Sequence, residues 1–212
     1  MNVTNKIKMI EGPPPHHHYI IYKPYGYLSQ FASNANKQQS KKFLGSLYAF
    51  PEGVMAIGRL DEKSEGLLLL TTDGKMSDFI NNQKVAKEYY AQVNGNITQE
   101  AIEQLKAGVE IGFEGKKYTT KPCAVFKLGE APNLPTRSKK IRDDRHGPTS
   151  WISVTLNEGK FRQVRKMTSA VGHPTLRLVR IRVGNIHLNT MQVGEVIAMA
   201  NICVRDCSEN PF

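Results

Sequence analysis

Four consecutive leucines, Leu67 to Leu70, lie inside GRLDEKSEGLLLLTTDG, the stretch from Gly58 to Gly74. A run this short cannot cross a bilayer, which takes about 18–20 apolar residues. It has the length of a strand and reads as one buried in a sheet. Just upstream stands a carboxylate, Asp61. An acid beside a buried strand loses hydration, which disfavours its charged form. It can pair with Arg59 or Lys63, cap the turn before Ser64, or ligate a metal, although no second ligand lies nearby in the chain. It can also be a nucleophile or base, held ready by a distant cation such as Arg165 while a flat ligand excludes water. The local residues leave these alternatives open.

The remaining segments say what covers the leucines. YIIY (19–22) reads as a strand ended by Lys23-Pro24, and VMAI (54–57) as another buried strand. YYAQVNG (89–95), YTTKPCAVFKL (118–128), WISVTL (151–156) and LRLVRIRV (176–183) also have strand character, and VGEVIAM (193–199) reads as a turn and strand. In LRLVRIRV the apolar positions change parity between Leu178 and Val179, which predicts a bulge or twist. Helical spacing is predicted around Phe43–Leu47 with Ser40 as cap, around Met76–Ile80, after the cap Thr98 up to Gly108, and over 161–172. Many strands with few short helices predict an α+β fold, its sheet mixed but largely antiparallel. Residues 1–18, with EGPPPHHH, read as a loose arm. Residues 129–149 read as a long basic loop, 19–205 as one domain, and 206–212 as a tail.

The formal net charge is +10 over 212 residues, which favours a polyanionic partner. Between Lys160 and Gly194 there is no acid, yet there are seven lysines and arginines. On an ideal helix Val164, Met167 and Val171 share a face and Arg162 and Lys166 lie opposite, with Arg165 on the flank. The outward pair, together with Lys139, Lys140 and Arg142 of the loop, is expected to meet phosphates. Cys123, Cys203 and Cys207 form no disulfide or zinc framework, which fits a reducing, cytoplasmic setting. His16–His18 lack an acidic or cysteine partner nearby, so no metal site is expected.

GRLDEKSEGLLLLTTDG resembles the signature of the pseudouridine synthases of the small- and large-subunit rRNA branch. YIIYKPYGYL (19–28), KEYYAQVNG (87–95) and EGKFRQVRKMTSAVGHPTLRLVRIRVG (158–184) resemble three further motifs of that family, in its order. The resemblance spans roughly residues 19 to 200 and is strongest to the large-subunit group that modifies 23S rRNA. It implies a catalytic domain with a cleft across its sheet and flanking short helices. The implied activity is isomerisation of uridine to pseudouridine without cofactor or metal. Asp61 is implied as the catalytic nucleophile, attacking ribose C1′ or uracil C6. Tyr89 is implied to stack on the base and assist proton removal, and Arg165 to pair with Asp61. Arg59 and Leu178 are expected to line the pocket, with Lys23 shaping the first turn. Because only eighteen residues precede the first strand, no S4-type RNA-binding domain is expected. The expected partner is 23S rRNA or the assembling large subunit, with no membrane and a monomeric chain. A non-catalytic RNA-binding protein on the same fold is the alternative.

Overall fold

The computed structural model describes residues 16–32, 40–82, 85–142 and 144–204. Most of the expected N-terminal arm, the tail 206–212 and Cys207 lie outside the described residues. The strands are β1 His18–Lys23, β2 Tyr27–Leu28, β3 Lys42–Phe43, β4 Met55–Ile57, β5 Glu65–Thr71, β6 Lys87–Asn94 and β7 Glu110–Phe113. They continue as β8 Lys116–Thr119, β9 Ala124–Lys127, β10 Thr149–Leu156, β11 Thr175–Val183, β12 Ile186–His187 and β13 Val196–Met199. The helices are α1 Gly74–Asn82, α2 Gln99–Ala107 and α3 Gln163–Ala170. No helix among the described residues is long and apolar enough to cross a membrane.

Among the described residues, nine strands form one sheet with the central order β13-β1-β5-β11-β6-β10-β9, and β4 and β12 attach at its side. Its pairings are antiparallel except where β5 meets β11. The leucine run is β5, and every residue of it is buried. Successive side chains point to opposite faces. Leu67 and Leu69 therefore enter one apolar cluster with Ile20, Val179 and Met191, and Leu68 and Leu70 enter another with Ile21 and Leu44. A third cluster lies under β6 and β10 and takes in Ile102 and Leu105 of α2 and Val164 and Met167 of α3.

The parallel contact is short and locates the cleft. β11 pairs with β5 only at Val179↔Glu65 and Arg180↔Gly66, while β4 pairs with the far end of β5, from Leu69 to Thr71. Between them Leu67 O is left to accept from Arg180 Nε at 2.7 Å, so a guanidinium completes the ladder. Gly66 is required at this crossing. Its φ is +102°, and a Cβ there would stand 2.3 Å from Arg180 O and 2.8 Å from Arg180 N.

Several expected elements take a different form. YTTKPCAVFKL is two strands in two sheets, β8 paired with β7 and β9 with β10, because the chain breaks around Pro122, which has no N–H for a ladder. Ser40 caps no helix; Lys42–Phe43 pairs with β2 and only a 3-10 turn, Leu44–Ser46, follows. Met55 of β4 is exposed, since β4 is a short side strand. The irregularity expected in β11 at Leu178/Val179 is found as two register shifts on either side of it, Thr175/Arg177 and Arg180/Arg182. The helix expected over 161–172 begins only at Gln163, after Arg162 in a left-handed conformation (φ 54°, ψ 35°). His18, expected in the arm, is a buried part of β1 whose ring bonds Thr71 Oγ1 at 2.9 Å. The Thr98 cap forms as expected, accepting from Ala101 N at 3.2 Å.

Candidate active site

Asp61 stands in the turn that leads into β5, and that turn is fastened from three sides. Ser29 Oγ donates to Leu60 O (2.9 Å) and accepts from Leu60 N (3.0 Å). Lys23 Nζ, fully buried, donates to Ser64 O (2.8 Å) and Pro24 O (2.9 Å). Arg165 donates through Nη2 to Lys63 O at 2.7 Å. A side chain on a turn held this way is positioned before any ligand arrives.

The carboxylate of Asp61 is 20% exposed, and two guanidinium groups approach it. Arg162 Nη1 is 3.3 Å from Oδ2 and Arg165 Nε is 4.0 Å from it. Arg162, expected on the outward helix face with Lys166, is thus the nearer partner of Asp61. The cause is local: one left-handed residue at the helix start turns its side chain off the helical path. Arg165 Nε is buried without a hydrogen-bond partner, so its N–H is available for a shorter contact with Asp61. Burial, reinforced by Arg162, lowers the Arg165 pKa, and Asp61 opposes the shift. Burial also pulls Lys23 down to about 7, against the pull of Glu65, Asp61 and Glu62, with Arg180 adding to the lowering.

Asp61 and Arg162 border a cleft of about 410 Å³, with Arg165 and Lys23 behind the turn and outside its lining. Arg59, Leu60 and Asp61 line it from the turn, Tyr89 from β6, Leu178 and Arg180 from β11, and Arg162 and Val164 from the start of α3. Tyr89 lies in register with Val154 and Arg180, on the face of β6 that carries Ala91 and Val93. Tyr90 faces the other way and takes no part in the lining. Glu158 closes the far wall, accepting from Tyr118 Oη (2.6 Å), Lys121 N (3.0 Å) and Gln163 Nε2 (2.5 Å). Burial would raise its pKa, but those donors outweigh burial and hold it below the usual value.

The acid-free stretch is less open than its composition suggests. Arg177 binds Glu65 through both oxygens at 3.0 Å, and Arg182 Nε lies 2.8 Å from Glu88 Oε2. Arg180 is 3% exposed. Acids far away in sequence neutralise what looked like one basic face. Of the expected RNA contacts, Lys166 donates to Gly112 O (2.6 Å), and Arg142 to the Asn94 side chain and Pro148 O (3.3 Å). Lys139 lines a separate hollow with Tyr25, Lys41 and Lys42, and Lys140 is exposed. Sequence reasoning missed Glu158 as part of the wall and Arg162 as the partner of Asp61. Glu158 carried a usable signal, since it opens the segment 158–184 that also contains Arg165. The rotation of Arg162 had none.

A cleft over a buried strand, with the Asp61 carboxylate approached by two guanidinium groups and Tyr89 in the same lining, defines an enzyme site suited to a flat base. The family model described as RNA pseudouridylate synthase matches residues 17–170, and the chain belongs to that family of enzymes. Among curated relatives it is similar to ribosomal large subunit pseudouridine synthase E of Xanthomonas axonopodis pv. citri, 40% identical over 81% of this chain and 88% of the relative. It is similar also to the like-named protein of Vibrio parahaemolyticus, 39% identical over 83% of this chain and 71% of the relative. A crystal structure of a pseudouridylate synthase superposes with a TM-score of 0.67 at 23% identity, over 87% of this chain and 70% of that one, which supports the fold.

Proposed function

We propose that this chain isomerises one uridine of 23S rRNA to pseudouridine, acting in the cytoplasm on the rRNA or the assembling large subunit, with Asp61 as nucleophile. The observation that carries the reading is the Asp61 carboxylate, held between Arg162 and Arg165 in the lining of a cleft that Tyr89 and Leu178 share. The similarity to synthase E relatives over four fifths of the chain supports the 23S substrate.

A base inside folded RNA is out of reach and must be turned out into the cleft, where Tyr89 offers an aromatic face. Asp61 attacks C1′ or C6, and the bond between C1′ and N1 breaks. The freed base turns and C5 bonds to C1′; after attack at C1′ this displaces the Asp61 carboxylate, and after attack at C6 the carboxylate is eliminated from C6. The C5 proton leaves and N1 gains one. Product and substrate are isomers, so no electron acceptor is consumed. The two arginines offset the carboxylate charge before and after its attack. Leu60, Leu178 and Val164 form an apolar wall that limits water while the base is loose.

The test is tritium release from 23S rRNA that lacks the modification and is labelled at uracil C5. Wild type releases tritium; Asp61→Asn, which keeps the shape of the side chain, binds the RNA but releases none. Full turnover by Asp61→Asn would remove Asp61 from the chemistry.

A further inference from the structure

Beside the cleft, three aromatic rings alternate with two lysines. Tyr118, bonded to Glu158 in the cleft wall, lies 6.1 Å from Phe113 on the same hairpin. Lys160 Nζ stands 5.1 Å from the Tyr118 centroid and 5.0 Å from that of Phe113. Lys166 Nζ stands 5.9 Å from Phe113 and 5.4 Å from Phe161. The series ends there: Phe161 is 65% exposed. Its chain neighbours Lys160 and Arg162 both line the cleft, and Phe161 does not. The turn that sends Arg162 to Asp61 therefore leaves the Phe161 ring outside, next to the mouth.

We propose that Phe161 is a stacking platform for an unpaired RNA base adjacent to the uridine that enters the cleft. The proposal rests on the uridine-isomerase reading. Turning one base out of a stack deprives its neighbour of a partner, and an aromatic ring at the mouth replaces the lost face. The ring is held from one side by the Lys166 ammonium, itself tied to Gly112 O, so little rotamer freedom is lost on binding. Lys166 beside the ring and Lys160 farther along the series carry positive charge, which suits a ribose-phosphate chain and not an apolar protein partner. Any of the four bases has a π face, so the platform adds affinity and orientation without reading sequence.

Stacking and charge respond differently to salt, and this separates them. The affinity for in-vitro-transcribed 23S rRNA is measured across a salt series for wild type, Phe161→Leu, Phe161→Ala and Phe161→Trp. Loss of one stacked base lowers affinity by roughly 5- to 150-fold. The Leu and Ala lines should fall by such a factor with the slope against log salt unchanged, because no phosphate contact is lost. Phe161→Trp should restore the wild-type line. Melting temperatures should stay within roughly 2 °C, as for a surface substitution. Leu and Ala lines that overlie wild type, or a Trp variant as weak as Ala, overturn the platform. Tritium release by wild type on the same RNA shows whether the isomerase reading still stands. If wild type neither binds nor releases, both fall together.

Discussion

Lys23 should make the stability of this enzyme rise with pH above neutrality, and Lys23→Met should remove that rise. The ammonium sits fully buried, and burial brings its pKa from 10.5 to about 7. Above pH 7 the folded protein has largely released this proton while the unfolded chain still holds it. Stability therefore increases with pH between about 7 and 10.5, by at most about 1.4 kcal/mol per unit. Between pH 7 and pH 9 the gain for these two pKa values is about 2 kcal/mol, the part below full slope reflecting half-titration at pH 7. Below pH 7 both states hold the proton and the contribution is flat. The assay is urea unfolding of wild type and Lys23→Met at several pH values between 6 and 9, compared at equal m-value. Met fills similar volume but cannot donate to Pro24 O and Ser64 O, so it offsets the whole curve by about 1–3 kcal/mol at any pH. The difference between the two slopes is the diagnostic quantity. Parallel curves would refute the reasoning, because they would mean the buried amine keeps its proton through pH 9.

Two further outcomes follow from the same geometry. Gly66→Ala should destabilise by about 3 kcal/mol or more, since the added Cβ strikes Arg180 backbone atoms at 2.3 and 2.8 Å in a left-handed conformation; a change under 0.5 kcal/mol by urea unfolding would show that β5 and β11 can separate freely. Tyr89→Phe should keep RNA affinity and slow single-turnover tritium release by roughly 100-fold or more, and an unchanged rate would leave Tyr89 with stacking alone.

Much of the site was legible because its signals are local. Alternation along β6 puts Tyr89 and Tyr90 on opposite faces, and the cleft takes Tyr89. The apolar run from Leu67 to Leu70 could only be a strand covered on both sides, and two separate clusters cover it. Arg162 was not legible: helical spacing places it beside Lys166, but a single positive φ redirects it to Asp61. Nor was the split of residues 118–128, where one strand pattern serves two sheets.

The sequence by itself determined the strand that carries the leucines, the turn that holds Asp61 beside it, and that Tyr89 and Tyr90 take opposite sides of β6. Each depends on periodicity or on neighbours a few residues away. Only the tertiary structure decided which charges meet. Glu65 and Arg177 are 112 positions apart, and Asp61 and Arg162 are 101 apart. A charge pattern along a chain records how many cations there are, but the partner that neutralises each one is set by where β5, β11 and α3 come together. That convergence also decides which cations remain to meet RNA.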